Sequence, residues 1–372
     1  MRRLLSSLAL VLGFCGHASA QPYNFQPVRT LINGFVGTAP GALLPGASLV
    51  VIQNGRTIFQ ESFGDYVGTQ PKVSIASASK LLSALVLQRL VESGRMQWTD
   101  TVADYFGTDY PGADEEKGRI TLGQLFSHTS GISAAPAACL GVDYRNRSLD
   151  ACDLSILGTA LSSPPGTFFA YGGNSMQVAG AMAQRASGMS WDQLLRSELT
   201  GPLSMTRTDY GTNNKGLPYS NPIIASGARS ASKDYANVVK MILQRGRFNG
   251  TQYLSAQSIA DMQLDQTHGA PFDPEANPYP DSYGYGYGQW RHKVNCSSGV
   301  AVEISSSGAF GTSPWVDYRN GVAAVFLAYK QDADPSLQDK VTQVWNTVSS
   351  VVGVVPPDCT SAQHSDTGSA GG

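Results

Sequence analysis

The chain predicts an α/β fold of the α+β kind. It consists of an antiparallel sheet built from the N- and C-terminal segments, flanked by helices, with an inserted, mostly helical lobe. Three observations carry this reading. Strand-like runs cluster at the two ends of the chain, at 46–63 and again at 283–329. The middle, from about 98 to 281, holds helix-like runs separated by Pro- and Gly-rich loops. The last long periodic segment, 334–352, has the spacing of an amphipathic helix.

The first strand is Gly46-Ala47-Ser48-Leu49-Val50-Val51-Ile52-Gln53, and Asn54-Gly55 follows as a two-residue hairpin turn. Residues 56–63 supply the return strand. Ser77 opens a helix whose apolar residues include Leu81, Leu82, Leu85, Leu87 and Leu90, ended by Ser93-Gly94. Further helix-like runs lie at 175–187 and 191–199. Tyr283-Gly284-Tyr285-Gly286-Tyr287-Gly288-Gln289-Trp290 alternates aromatic and glycine, which suits a strand with one packed face. Strands follow at 300–304, 313–317 and 322–329. Asp334-Pro335 starts the closing helix, and Gly353 with Pro356-Pro357 ends it.

Residues 1–20 read as a signal peptide. Met1-Arg2-Arg3 is a charged start, 4–15 is apolar, and Ala18-Ser19-Ala20 is a small-residue cleavage site. Cleavage after Ala20 implies a periplasmic or secreted protein. The apolar run is too short for a permanent span, and no other segment is long and apolar enough. The remainder divides into one catalytic domain, 21–358, and a disordered tail, 359–372. The domain's sheet lobe takes in about 21–75 and 280–358, and its helical lobe about 76–279. The tail is polar, small and glycine-rich.

A formal net charge of −2, with 15% charged residues and no basic block, gives no sign of a nucleic-acid partner. Of five cysteines, Cys15 leaves with the signal. Cys139, Cys152, Cys296 and Cys359 remain, an even count that reads as two disulfides in an exported protein. Three pairings are possible. Local loop closure favours Cys139–Cys152, which leaves Cys296–Cys359. No metal site is expected at these cysteines, and nothing points to a cofactor.

The tetrapeptide Ser-Ala-Ser-Lys occurs twice, at Ser77–Lys80 and Ser230–Lys233. On a helix, residues three apart share a face, so a serine hydroxyl and a lysine amine meet at short range. Ser77 precedes an apolar helix whose first turn offers free N–H groups, and burial would lower the Lys80 pKa. The second copy follows Gly227-Ala228-Arg229 and reads as a helix start, with Ser230 or Ser232 as the N-cap.

Four further segments follow in order around the first copy. Val73-Ser74-Ile75-Ala76 leads into it. Leu125-Phe126-Ser127-His128-Thr129-Ser130-Gly131 comes next, then Pro165-Gly166-Thr167-Phe168-Phe169-Ala170-Tyr171, then Gly308-Ala309-Phe310-Gly311-Thr312-Ser313. With Ser77-Ala78-Ser79-Lys80 this set resembles the serine β-lactamase-related, penicillin-binding-protein-like family. That group includes class C β-lactamases, D-Ala-D-Ala carboxypeptidases and family VIII esterases. The resemblance covers most of the chain after the signal and implies the β-lactamase/transpeptidase-like fold.

It also implies roles. Ser77 is the nucleophile, and Lys80 and Tyr171 form the proton relay. Side by side, a Tyr171 phenolate and a Lys80 ammonium would stabilise each other near neutral pH. Backbone N–H groups of Ser77 and Ala309 would hold the oxyanion, with Gly308 on the facing strand. His128 is implied to be structural, and His292 reads as a surface group. The chain departs from the family pattern twice. Gly173 stands where Tyr-x-Asn expects asparagine, with Asn174 as the adjacent candidate. Ser306-Ser307-Gly308 replaces the family's Lys-Thr-Gly or His-x-Gly, so Ser306 offers a substrate only a neutral hydroxyl. Arg229, Arg291 and Lys293 are the cations that could compensate.

The expected activity is that of an exported serine hydrolase acting through an acyl-enzyme at Ser77, foremost a carboxylesterase. The alternatives are a β-lactamase or D-amino-acid peptidase, and an inactive binding protein on the same scaffold. The expected partner is a small-molecule ester, amide or peptide substrate.

Overall fold

The computed structural model describes residues 23–353, apart from 109, 111, 273–278, 280, 281, 296 and 333. The expected signal segment, the Cys296–Cys359 pairing and the tail lie outside the described residues. A short helix, α1 (Gln26–Asn33), comes first and carries Pro27 in its opening turn. This helix has no counterpart in the sequence reading, although the proline was a usable start signal.

Strands β1 (Gly46–Gln53) and β2 (Arg56–Gly64) form the hairpin, and Asn54 and Gly55 both take positive φ at its turn. The chain then makes α2 (Ser79–Glu92), α3 (Asn174–Ser187) and α4 (Ser232–Leu243) with intervening short helices. It returns to the sheet as β3 (Trp290–Val294), β4 (Ala301–Ser305), β5 (Ser313–Asp317) and β6 (Val322–Ala328). It closes with α5 (Ser336–Val352). The six strands lie in the order β2-β1-β6-β5-β4-β3, all antiparallel. The two ends of the chain meet at the β1–β6 pair, where Val50 faces Val325.

Both faces of the central strands are buried, which is why β1 and β6 read as nearly continuous apolar runs. Alternate residues go to opposite cores. Leu49, Val51, Ala324 and Phe326 pack with Val28 and Ile32 of α1 and with Val341, Val344 and Val348 of α5. Val50, Ile52, Val325 and Leu327 face α2 and α4. Helix α2 is buried on almost every side, with only Arg89, Val91 and Glu92 reaching outward. Full burial of each large aliphatic side chain contributes about 1.5–3 kcal/mol.

One expected strand is absent. Residues 283–289 form a turn, with Gly286 N–H donating to the Gln289 carbonyl, and the ladder starts only at Trp290. Gly284 and Gly288 take φ of +88° and +74°, which no strand uses. The aromatic alternation therefore reflects packing to different sides rather than a pleat, with Tyr285 and Trp290 clustering with Phe169 and Tyr287 stacking on Trp98.

Cys139 and Cys152 are joined, with Cα atoms 5.3 Å apart across a separation of 13 residues. Among the described residues no helix is long and apolar enough to cross a membrane. Closing a loop of this length stabilises by about 3 kcal/mol. The double variant Cys139→Ala/Cys152→Ala should lose up to that amount, read as a lower urea midpoint with an unchanged slope.

Candidate active site

Ser77 sits where three elements converge. Val73–Ser74 pairs antiparallel with Arg229–Ser230, and Ile75 N–H donates to the Ala228 carbonyl (3.0 Å). A single 3-10 turn, Ala76–Ala78, then leads into α2. Ala76 adopts φ +44°, a left-handed conformation that costs a residue with a side chain about 1–2 kcal/mol. The turn aims Ser77 at the tip of β5. There Gly308 lies so close that a Cβ atom would stand 2.1 Å from the Ile75 carbonyl oxygen.

Lys80 lies one turn into the helix with its Nζ 3.0 Å from Ser77 Oγ and 3.4 Å from the Ala225 carbonyl. Its side chain is almost wholly buried. Loss of water pushes its pKa down to about 7. Tyr171 supplies the opposite wall. Lys80 Nζ stands 4.5 Å from the centre of the Tyr171 ring, and the phenol is hydrogen-bonded to Ser77 and to the Trp290 indole. Burial drives the Tyr171 pKa up to about 12. The expected phenolate does not form: Tyr171 stays a phenol, beside an amine that titrates near 7. Desolvation outweighs mutual ion stabilisation because Lys80 is almost wholly buried and Tyr171 is largely packed among aromatic rings.

The loop carrying Tyr171 is fixed by His128. The His128 carbonyl accepts from Ala170 N–H (2.8 Å), and its ring packs against Tyr171 and Tyr285. His128 takes φ +62° just after the helix Leu122–Phe126. Burial, then the nearby Lys80, hold its imidazole well below the usual range. It stands behind Tyr171 and does not line the cleft.

A cavity of about 250 Å³ opens in front of Ser77. Its walls include Tyr171, Tyr279, Trp290, Ser307, Gly308 and Ala309, with Leu337, Gln338 and Val341 of α5 opposite. The structure therefore brings together Ser77, Lys80, Tyr171, Gly308 and Ala309.

Two expected site residues are not among the cleft-wall residues. Asn174 does not replace the missing asparagine. Its Nδ2 donates to the Ser133 and Ala135 carbonyls (2.7 and 2.8 Å) and its Oδ1 accepts from Ala137 N–H (3.0 Å). This amide is consumed in clasping the 133–137 loop. That loop packs over Gly172, where a Cβ would come within 2.9 Å of Ala134 Cα. Ser306 is buried, its hydroxyl donating to the Gly288 carbonyl (2.9 Å) and lying 3.5 Å from the Ser77 carbonyl oxygen, so it touches the backbone of Ser77 rather than the cleft. The hydroxyl on the cavity wall is that of Ser307, one residue on, held by Ser313 Oγ at 2.5 Å.

None of the three compensating cations reaches the cleft. Arg229 pairs with Asp209 (Nε–Oδ1 2.8 Å), and Lys293 pairs with Glu303. The Arg291 guanidinium is spent on the backbone carbonyls of Gln263, Tyr283 and Gly299. Arg291 does border a separate cavity of about 820 Å³, which shares no wall residue with the Ser77 cleft. Among the described residues, the one charged side chain lining the Ser77 cleft is that of Asp334, whose carboxyl is held below its usual range by hydrogen bonds from Ser336.

The second Ser-Ala-Ser-Lys is a helix start, but neither serine caps it. Ala231 occupies the N-cap without a side-chain bond, while Ser230 Oγ bonds Thr208 Oγ1 (2.8 Å). His292 is not a surface group either. It is half-buried between Tyr279 and Trp345, bonded to Ser305 Oγ (2.6 Å), and burial pushes its pKa down to about 3. Sequence reasoning missed Tyr279, Trp290 and Ser307 as wall residues. Only the aromatic-glycine alternation before Trp290 hinted at a packed face there.

The Beta-lactamase family model matches residues 35–349. The chain belongs to the β-lactamase family. Members of this family are mostly serine hydrolases. A solved β-lactamase-type structure from Bacteroides dorei DSM 17855 is 31% identical, covers 87% of this chain and 99% of its own, and superposes with a TM-score of 0.74. Penicillin-binding protein 4 of Amycolatopsis lactamdurans is 26% identical over 74% of this chain and 84% of its own length. Protein flp of Staphylococcus aureus (strain MRSA252) is 29% identical, but the match spans 46% of this chain and only 36% of that protein.

The protonation states fix a pH profile. If neutral Lys80 is the working base, kcat/KM should fall as pH drops below about 7 and level off above it. Stability follows the same sign. Unfolded Lys80 binds a proton up to about 10.5, while folded Lys80 releases it near 7. Its contribution to stability therefore rises with pH across that window. Stopped assays and urea melts from pH 5.5 to 10 check both.

Proposed function

We propose that this protein is an exported serine carboxylesterase that works through an acyl-enzyme at Ser77. The observation that carries the reading is the 3.0 Å approach of a buried, low-pKa amine to Ser77 Oγ, in a cleft with no cation among its described wall residues. In the first step neutral Lys80 accepts the Ser77 proton as Oγ attacks the substrate carbonyl carbon. The new oxyanion is held by the N–H groups of Ser77 and Ala309. Tyr171, a phenol in this environment, donates its proton to the departing alkoxide and is restored from the Lys80 ammonium. Water then attacks the acyl carbon by the reverse relay. The carboxylic acid leaves and Ser77 regains its proton.

Substrate choice follows from charge. The family's usual cation is replaced by inward-turned Ser306, and the wall carries an ionised carboxylate at Asp334. A substrate carboxylate beside the scissile bond would meet repulsion rather than an ion pair. The small, aromatic cavity suits a short neutral acyl group. A fold neighbour, EstCE1, is described as a hydrolase with promiscuous acyltransferase activity. The second reading, a β-lactamase or D-amino-acid peptidase, draws on the 31% identity to the Bacteroides dorei structure. The disulfide supports export, since such bonds persist in oxidising compartments.

Purified protein should turn over p-nitrophenyl butyrate with kcat/KM at least tenfold above that for nitrocefin. Ser77→Ala should cut the ester rate by about 10³-fold or more. Faster turnover of nitrocefin would overturn the ester preference. A wild-type protein inert to both would point to a binding role.

A further inference from the structure

Ser79 lies between the nucleophile and its base, is fully buried, and touches neither the cleft nor Lys80 Nζ. Its hydroxyl is used twice. Oγ donates to the Ala76 carbonyl (2.7 Å) and accepts from Ala228 N–H (3.0 Å). Ala228 in turn accepts from Ile75 N–H (3.0 Å), and the next two residues, Arg229 and Ser230, pair with Ser74 and Val73. These bonds close a ring around Ala76, the residue held at φ +44° immediately before Ser77. Ala76 has no other means of paying for that conformation on its own side chain, and Gly308 presses against it from the front, with a Cβ there reaching 3.3 Å from Ala76 Cβ.

Resting on the reading of Ser77 as nucleophile, we propose that Ser79 is a positioning residue for the reaction. Its hydroxyl latches the left-handed Ala76 peptide to the segment that leads into the second Ser-Ala-Ser-Lys, and so aims Ser77 Oγ at the cleft. The second copy then has a function of its own as the fixed anchor of the first. Two phenols from the anchoring side reinforce the same turn. Tyr235 OH donates to the Ala78 carbonyl (2.7 Å), and Tyr210 OH to the Ser79 carbonyl (3.1 Å). A serine is suited to the latch because a hydroxyl both donates and accepts, whereas alanine leaves the buried Ala228 N–H without its acceptor and the Ala76 carbonyl with only the backbone N–H of its own turn.

The latch makes a prediction that plain structural packing does not. Ala76 needs holding because a side chain disfavours positive φ, and glycine has no such preference. Ser79→Ala should lower kcat for p-nitrophenyl butyrate about tenfold or more, with KM within about twofold and the pH midpoint near 7 unmoved. Tenfold corresponds to about 1.4 kcal/mol of barrier. Ala76→Gly in the Ser79→Ala background should recover at least threefold of that loss. If Ser79→Ala does not fold, Ser79→Cys keeps the volume with a much weaker hydrogen-bonding group and serves in its place. A kcat within twofold of wild type, or a loss that Ala76→Gly leaves untouched, would overturn the latch. Wild-type turnover is measured alongside. An inert wild type contradicts the nucleophile assignment itself, whereas an active wild type with an unaffected Ser79 variant contradicts the latch alone.

Discussion

Lys80 is held where α2, the Tyr171 loop and the Ala225 loop meet, with its amine 3.0 Å from Ser77 Oγ and almost no water around it. Keeping an ammonium there is costly, so the lysine pKa falls to about 7 and the group becomes a base in the neutral range. The same dryness keeps Tyr171 protonated and His128 neutral. Lys80, Tyr171 and His128 thus share one cause for their protonation states. Any change that admits water would shift them together.

The fold exists around that dry junction. The β1–β6 pairing joins the two ends of the chain into one sheet, and β5 of that sheet follows directly on the turn that carries Gly308 and Ala309 in front of Ser77. Helix α5 covers the outer face of the sheet and supplies the far wall of the cleft through Leu337 and Val341. What the cleft lacks is as informative as what it holds. Ser306 turns inward, and Arg229, Arg291 and Lys293 are all committed to other partners. A serine hydroxyl and a buried amine stand together at the head of the cleft, while among the described wall residues there is no cation to attract a carboxylate.

Much of the fold was legible in the residues. Asn54-Gly55 marks the hairpin because both positions need positive φ, and the leucine-rich stretch after Lys80 announces a buried helix. The meeting of Ser77 with Lys80 is legible because a three-residue spacing is a local property of a helix. The rest depended on contacts between distant segments. Asn174 looked available until the 133–137 loop was seen to take all three of its bonds. Tyr171 looked like half of an ion pair because sequence carries no information on how much water reaches it. The aromatic-glycine run looked like a strand because alternation alone does not reveal backbone handedness. The second Ser-Ala-Ser-Lys looked unrelated to the first, yet its leading residues are paired with the strand before Ser77.

The central claim is that Ser77, and not Ser230, is the nucleophile. Peptide mapping by mass spectrometry after treatment with a fluorophosphonate tests this most directly. The account predicts a single stoichiometric adduct on the peptide containing Ser77, formed faster as pH rises through about 7. An adduct on Ser230, or stoichiometric labelling that survives Ser77→Ala, would contradict it.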